Sequence, residues 1–387
     1  MAIPLKYNLR NLAVRRTTTA MTAFSITLTV TVFVVLMALA QGLQSSLTAT
    51  GNPLNLMVMR DGSQSETQSS VPRDALQTLR YLEGIAKNEK GEPRVSPELV
   101  VLINLPRRNQ TQGSNVTIRG LGPEGFTLRN NFKLVEGREF TSGLREVIVS
   151  QRIAERFQNC ALGEKLKFAK GYWTVVGVFD AGNTAYASEI WTDAEGLGQD
   201  FDRDAYSSVI LRVTDTAALN RLKQQVADDR RLHQKAQTEL EYYERQTRSA
   251  GPIKFLGIFI AGLMAVGASF AALNTMYAAV ARRTKEIGAL RVVGFSRGSI
   301  LISFVIESVL IAALGGLLGC LLALPINGVS TGTTNFATFS ELAFSFRVTP
   351  ELLLQGMIFS VIMGFLGGLF PAWRAAHENI VTALRST

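Results

Sequence analysis

The sequence predicts a membrane protein with four transmembrane helices and a large mixed α/β domain inserted between the first and second helix. Four separate segments are apolar over about 20 or more residues, the length that the hydrocarbon core of a bilayer requires. Residues 44–250, between the first two segments, are mainly polar. The mean hydropathy of the 387-residue chain is only slightly positive. A sizeable soluble domain must therefore accompany the membrane helices.

The predicted spans differ in how firmly the sequence defines them. They are residues 21–43, 253–280, 300–329 and 352–372. The first has an alternative interpretation as a signal peptide, because basic residues precede it and Ala38–Gln41 resembles a cleavage site. Its apolar stretch exceeds the ~7–15 residues of a signal peptide, which favours an uncleaved span.

Glycine pairs in the last two spans predict close helix packing. Gly315 and Gly319 stand four residues apart in the third span, as do Gly364 and Gly368 in the fourth. Small residues at this spacing let two helix backbones approach each other in lipid. The alternative is that glycine is simply frequent in membrane helices.

The charge distribution predicts the orientation. Residues 1–20, 281–299 and 373–387 together hold 11 basic and two acidic residues, whereas residues 44–250 hold 27 basic and 26 acidic residues. The connection 330–351 has a single basic residue, Arg347. The positive-inside rule therefore places both termini and the 281–299 segment in the cytoplasm. Nucleic-acid binding is excluded as an interpretation, since it requires basic residues gathered on one folded face.

The segments at the two ends of the chain are expected to lie on the inner side. Residues 1–20 place Leu5, Leu9 and Leu12 on one helical face, a pattern typical of an amphipathic helix in the inner membrane interface. The alternative is a plain cytoplasmic extension of the first span. Residues 373–387 form the predicted cytoplasmic tail, and residues 330–351 form a predicted short outer loop.

Residues 44–250 are predicted to form an outer α/β domain. Short segments rich in β-branched and aromatic residues, separated by turn formers, are typical of strands. The predicted strands are Asn55–Arg60, Ser114–Leu121, Arg145–Ser150, Lys165–Ala169, Trp173–Asp180 and Ser207–Val213. The predicted helices are Arg73–Ile85, Gln151–Gln158, Thr216–Asp229 and His233–Ser249, the last continuing into the second span as a stalk.

The sequence predicts no catalytic or metal site. It contains two cysteines, Cys160 and Cys320, and two histidines, none with the spacing of a zinc site or a redox motif. The chain has no Walker-type glycine loop. We therefore expect a protein that is not an enzyme and that binds neither a metal nor a cofactor itself.

The segment 281–299 has the start and stop signals of a short helix. Thr284 is expected to cap a helix over Lys285–Val293, and Glu286 lies near its positive end. Gly294 fits the left-handed closing position, and Ser296 is expected to begin the next helix. An apolar face on such a helix favours docking into a partner's groove. The alternative is a solvated loop.

The residues around this segment resemble a known family. Residues 276–319 contain "RRTKEIGALRVVG" followed by a glutamate early in the third span, as in FtsX/MacB-type permeases of ATP-binding-cassette (ABC) systems. The end of the chain, "PAWRAAHENIVTALR", is similar to the family's C-terminal motif, although Asn379–Ile380 stand where proline is frequent. The segments 145–157, 162–168 and 173–180 resemble the MacB-type periplasmic core.

The resemblance implies a multi-pass permease of the bacterial inner membrane that works by mechanotransmission. Its implied partners are a cytoplasmic ABC ATPase, a second permease copy, a periplasmic adaptor and an outer-membrane conduit. The ATPase is expected to be a separate polypeptide that binds the ATP. The implied ATPase-coupling residues are Arg283, Thr284, Glu286, Ile287, Gly288, Leu290, Arg291 and Gly294. Of these, Ile287 and Leu290 are expected to fill a groove of the ATPase, and Glu286 and Arg291 to make charged contacts with it.

Two questions stay open at this level. Glu307 is a carboxyl group within a span, which is costly and often functional, but its position near the cytoplasmic edge favours packing or hydrogen bonding. The expected function is efflux through a tripartite pump. The alternatives are a lipoprotein-releasing permease of the Lol type and an FtsX-like regulator of cell-wall hydrolases.

Overall fold

The computed structural model describes residues 16–108, 112–129, 131–229, 231–247, 251–335 and 338–378. The predicted N-terminal amphipathic helix lies mostly outside these residues, as do Asn379–Ile380 and the end of the tail. The chain divides into two compact units. We call residues 1–41, 252–329 and 346–387 the helical unit, and residues 42–251 and 330–345 the sheet unit.

The secondary structure alternates long helices with short strands. The helices are α1 (Arg16–Thr48), α2 (Arg73–Arg80), α3 (Gln151–Arg156), α4 (Ala194–Asp200), α5 (Thr216–Asp228), α6 (Glu239–Thr247), α7 (Gly251–Arg282), α8 (Thr284–Val292), α9 (Arg297–Ala323) and α10 (Pro350–His377). The strands are β1 (Asn55–Arg60), β2 (Val95–Pro106), β3 (Gly113–Leu121), β4 (Lys133–Gly137), β5 (Glu146–Ser150), β6 (Lys165–Phe168), β7 (Gly171–Asp180), β8 (Glu189–Asp193), β9 (Ser208–Arg212), β10 (Gln234–Thr238), β11 (Ser330–Thr334) and β12 (Glu341–Ser345).

The predicted fold class is confirmed. Among the described residues, four helices are long and apolar enough to cross a membrane, namely α1, α7, α9 and α10. A large mixed α/β unit follows the first of them. The third helix is shorter than the span predicted from sequence, because a 3₁₀ turn at Leu324–Ile326, which contains Pro325, follows Ala323.

Glycines allow α9 to lie close to α1. A methyl group at Gly315 would stand 2.8 Å from the carbonyl oxygen of Ala23, and one at Gly319 would stand 2.8 Å from that of Thr27. The Thr27 hydroxyl donates a hydrogen bond to the Gly315 carbonyl over 3.1 Å. Any side chain at these glycines would therefore force the two helices apart.

The contact between α9 and α10 uses the second glycine pair. A methyl group at Gly364 would lie 2.4 Å from Cβ of Ala312, and one at Gly368 would lie 2.4 Å from Cβ of Ser308. The Ser308 hydroxyl donates to the Gly364 carbonyl over 2.6 Å. Both glycine pairs thus lie where a neighbouring helix approaches closely.

The sheet unit is built on one mixed sheet. In the described part of the chain, ten strands take the order β10-β1-β9-β2-β3-β8-β5-β7-β4, with β6 paired to β7. The pairs β3–β8 and β5–β7 are parallel. Strand β2 is 12 residues long and pairs first with β9 and then with β3. It therefore joins two halves, each with its own buried hydrophobic cluster.

Long-range pairing overrides the helix predicted over His233–Ser249. The first part of this segment forms β10, which pairs antiparallel with β1 from Leu56 opposite Thr238 to Arg60 opposite Gln234. Only the following residues form α6. The prediction of a helix over the whole segment is wrong because a partner strand far away in the sequence decides the conformation.

A buried charge network lies in the core of the sheet unit. All five donors of the Arg119 guanidinium are engaged, over 2.7–3.0 Å, by the carboxylates of Glu66, Glu98 and Glu189. Arg129 also binds Glu98, over 2.7 Å. Burial raises the pKa of Glu66, but the charge and hydrogen bonds of Arg119 outweigh this effect and leave that pKa below its ordinary value. Its stabilising contribution is therefore present above pH 4.5 and is lost as the pH falls.

We expect Arg119→Leu to lower the free energy of unfolding of the sheet unit by about 3–5 kcal/mol, because Glu66 and Glu189 lose their cation and Glu98 loses one of its two. Urea titration followed by the fluorescence of the buried Trp173 and Trp191 measures this loss. The control is Arg231→Leu, since Arg231 is 87% exposed in its pair with Asp229. That change should leave the urea midpoint almost unchanged, because solvent screens an exposed ion pair. Equal losses in the two variants would contradict a structural role for the network.

Candidate functional site: the short helix between the second and third spans

The candidate site begins where α7 ends. Arg283 has φ −108° and ψ 12°, which interrupts the helix, and α8 starts at Thr284. The predicted capping role of Thr284 is wrong. Its hydroxyl donates backwards to the carbonyls of Val280 and Ala281, over 3.3 and 2.9 Å, because Thr284 already stands inside the first turn. The Arg283 backbone occupies the cap position without a side-chain capping bond.

Arg283 connects three elements of the helical unit. Its Nη1 donates to Oε2 of Glu307 in α9 over 3.0 Å, and its Nε donates to Oε2 of Glu286 in α8 over 3.0 Å. The guanidinium carbon also lies 5.1 Å from the centre of the Phe304 ring. The side chains of Arg283 and Glu307 are 10% and 4% exposed, so their charges depend on each other. Glu307 thus binds the start of α8 to the third span.

Ile287 and Gly288 face the interior of the helical unit. Ile287 is 2% exposed and packs in a cluster with Val280, Ile300 and Phe304, and Gly288 is buried beside it. The expectation that Ile287 fills a groove of a partner is therefore not met in this structure. Its burial instead holds one face of α8 against α7, α9 and α10.

The end of α8 has the geometry predicted from the sequence. Gly294 adopts φ +103°, and the Phe295 amide donates to the Leu290 carbonyl over 3.1 Å. These features close the helix in the left-handed manner that favours glycine. The Arg291 side chain contributes a weak contact, 3.4 Å from its Nη1 to the Phe295 carbonyl.

The start of α9 also agrees with the prediction. Ser296 caps the helix, since its hydroxyl accepts from the Ser299 amide over 3.2 Å. The connection between α8 and α9 is thus confined to the few residues from Val293 to Ser296.

The outward face of α8 combines charge with apolar surface. Lys285 is exposed, and the Glu286 side chain is 58% exposed. Val292 and Val293 are 63% and 73% exposed at the end of the helix. Apolar side chains that are this exposed are typical of a surface that binds a partner. The sequence alone does not single out these two valines as contact residues, because it does not show that Ile287 faces inward.

The remaining reactive side chains give no second site. Burial raises the pKa of the Cys160 thiol to about 12, which keeps it unreactive at neutral pH. Within the residues that the structure describes, no group of three or more His, Cys, Asp or Glu side chains could hold a metal ion.

Comparison with known families identifies the chain. Residues 19–229 match the model of the MacB-like periplasmic core domain, and residues 258–380 match that of the FtsX-like permease C-terminal region. The chain belongs to the FtsX/MacB-type ABC transporter permeases. It is therefore a multi-pass membrane protein of a permease family.

Individual relatives are distant but cover most of the chain. The ABC transporter permease YknZ of Bacillus subtilis (strain 168), itself described as uncharacterized, is 24% identical over 373 residues, which cover 91% of both proteins. The macrolide export ATP-binding/permease protein MacB 2 of Yersinia pestis bv. Antiqua (strain Antiqua) is 25% identical over 401 aligned positions. These cover 96% of this chain and 56% of that protein. The chain thus spans about half the length of the MacB relatives that it matches.

Solved structures also match about half of the chain. The crystal structure of the extracellular domain of the noncanonic ABC-type transporter YknZ from Gram-positive bacteria matches with a TM-score of 0.36 and 17% identity. The match covers 48% of this chain and 100% of that structure.

We expect the single variants Arg283→Met and Glu307→Leu each to destabilise the helical unit by about 3–5 kcal/mol, because each breaks the buried ion pair and leaves the remaining charge less well compensated. The double variant should recover much of that loss, since no buried charge remains. The stability of the wild type, the two single variants and the double variant is compared by the fraction of protein that stays monodisperse after heating in detergent.

The control for this cycle is Glu286→Ala, which removes the partly exposed partner of Arg283 and should cost about 1 kcal/mol or less. A double variant as unstable as the sum of the two single variants would show that Arg283 and Glu307 do not interact.

Proposed function

We propose that the chain is the transmembrane permease subunit of an ABC transporter that works by mechanotransmission. In this mechanism, a separate cytoplasmic ATPase subunit binds and hydrolyses ATP, and the permease converts its movements into a conformational change of the sheet unit on the outer side. The observation that carries the proposal is α8. This helix is anchored to the spans by buried contacts of Arg283 and Ile287, and it presents an outward face.

The proposed orientation rests on charge. The segments around α8 and at both termini hold the excess of basic residues, whereas the sheet unit is nearly neutral. The positive-inside rule then places α8 and both termini in the cytoplasm of a bacterial cell and the sheet unit outside the inner membrane. An ATPase that uses cytoplasmic ATP meets the permease on this side.

The proposed ATPase contact combines two kinds of residue on α8. Val292 and Val293 supply apolar surface, and Lys285 and Glu286 supply charge. Ile287, Gly288 and Gly294 act indirectly, because they fix the position and the end of the helix. Helices that dock in grooves use such a short row of apolar anchors bordered by charged residues.

The proposed cargo class is a compound exported from the membrane or the outer compartment. The MacB relatives are named macrolide export proteins, which supports efflux. Such a pump requires a second permease copy, an adaptor and, in a cell with two membranes, an outer-membrane conduit. A lipoprotein-releasing permease and an FtsX-like regulator of cell-wall hydrolases remain the alternatives. Copurified adaptor, lipoprotein or hydrolase distinguishes the three.

We expect Mg-ATP hydrolysis to copurify with the tagged chain when it is isolated with its native partners. This activity should belong to a separate polypeptide. The double variant Val292→Gln/Val293→Gln should reduce this copurifying activity at least about tenfold, the effect of losing about 1.4 kcal/mol of binding free energy. Glu286→Ala with Arg291→Ala should reduce it in the same direction.

The matched control is Leu144→Gln, which replaces an apolar residue that is 51% exposed in the sheet unit. It should leave the copurifying activity unchanged. Retention of full activity by the double valine variant, with the protein still inserted in the membrane, would refute docking through α8.

A further inference from the structure

The predicted short loop between the third and fourth spans contains a β-hairpin that belongs to the sheet unit. Strands β11 and β12 pair antiparallel, from Ser330 opposite Ser345 to Thr334 opposite Glu341. Leu342, Ala343 and Phe344 are buried. The predicted short loop thus contains two paired strands that were not assigned from the sequence.

One buried carboxylate binds this hairpin to two arginines of the sheet unit. Oε2 of Glu341 accepts from Nη2 of Arg107, at the end of β2, over 2.7 Å. Oε1 of Glu341 lies 2.6 Å from Nη2 of Arg156, at the end of α3, as a close ion pair. The Glu341 side chain is 1% exposed, whereas the two arginines are 27% and 30% exposed.

The backbone of the hairpin is adapted to this clamp of Arg107, Arg156 and Glu341. A methyl group at Gly332, on the neighbouring strand, would lie 2.6 Å from Nη1 of Arg156 and 2.9 Å from Oε1 of Glu341. Glycine at this position therefore leaves the space that the guanidinium occupies. Substitutions at Gly332 in β11 or at Glu341 in β12 would therefore both disturb the clamp.

Polar backbone contacts extend the attachment along β12. The Ala343 amide donates to the Ser188 hydroxyl over 2.7 Å, and the Ser345 amide donates to Oδ1 of Asn183 over 3.1 Å. Nη2 of Arg152 donates to the Ser345 hydroxyl over 3.2 Å. The outer edge of β12 is thus bound to the sheet unit instead of being free in solvent.

The hairpin is joined to two membrane helices with little slack. The 3₁₀ turn after α9 ends at Ile326, and β11 begins at Ser330; β12 ends at Ser345, and α10 begins at Pro350. The two connections also bind each other: the Gly328 amide donates to the Phe346 carbonyl over 2.9 Å, and the Phe346 amide donates to the Val329 carbonyl over 3.0 Å. The two connections cannot extend freely, because the hydrogen bonds between them would have to break.

We propose that Glu341 is a positioning residue for transport, which locks the hairpin to the sheet unit so that displacements of α9 and α10 reach that unit. This inference rests on the proposed function and adds a second connection to the one through α1 and α7. A loose loop of the same length would absorb the displacement by rotating its backbone dihedrals. The clamp of Arg107, Arg156 and Glu341 removes that freedom.

The competing explanation is that buried apolar side chains alone hold the hairpin. Leu342 and Phe344 are 4% and 1% exposed and contribute to the attachment whatever residue stands at 341. Apolar burial is non-directional, however, and it tolerates sliding of one surface over another. A carboxylate held between two guanidinium groups fixes one register. The two explanations therefore differ in what happens when only the charge is removed.

The test is hydrogen–deuterium exchange on the full permease–ATPase complex in lipid nanodiscs, with and without ATP, for the wild type and Glu341→Gln. We expect the variant to speed exchange of the Ala343 and Ser345 amides by about tenfold or more. We also expect it to reduce severalfold the ATP-dependent change in exchange within residues 165–180 of the sheet unit. Gly332→Ala, which crowds the same clamp, should act in the same direction.

The matched control is Glu124→Gln, because Glu124 is a largely buried carboxylate that binds Arg94, Asn88 and Thr127, which lie outside both the hairpin and residues 165–180. It should leave both readouts at the hairpin and the ATP response unchanged. A wild-type ATP response in Glu341→Gln, or unchanged hairpin exchange, would overturn the inference and leave the proposed function intact. Absence of an ATP-dependent change in the wild-type complex would instead refute the proposed function, and the transmission role of Glu341 with it.

Discussion

The buried ion pair between Arg283 and Glu307 is the constraint on which the membrane part of this permease depends. Two charges among apolar helices are tolerated only when they meet, so the start of α8 has to lie against α9. Ile287 then packs into the same cluster as Phe304 and holds the inward face of the short helix. Both contacts hold α8 against the spans, as the proposed transmission of movement from an ATPase requires.

The sheet unit solves a related problem by different means. Its core holds Arg119 among three carboxylates, and its attached hairpin is held by Glu341 between two arginines. Buried pairs of this kind add little net stability compared with apolar packing, but they penalise every arrangement that separates the charges. The proposed transmission of movement would benefit from this property, because the parts of the unit keep their relative register.

The sequence was sufficient to predict the features that depend on local signals. Strand Asn55–Arg60, the left-handed turn at Gly294 and the cap at Ser296 follow from propensity and capping chemistry, and the structure confirms all three. Features that depend on distant partners were missed. The segment Gln234–Thr238 is a strand because it pairs with β1, and Ile287 is buried because three spans surround it. A lone glutamate in one span and an arginine at the end of the preceding span were the only sequence signals for their ion pair.

The central claim is that α8 and the spans move as one body when the ATPase binds nucleotide. Spin labels on the exposed residues Ala289 of α8 and Ile302 of α9 measure this directly in the permease–ATPase complex by double electron–electron resonance. The claim predicts the same narrow distance distribution in the nucleotide-free and ATP-bound states of the wild type, and a broader one when Arg283 is replaced by Met. A distribution that shifts or broadens on ATP binding in the wild type would contradict it, because α8 would then move independently of the helix to which it is anchored.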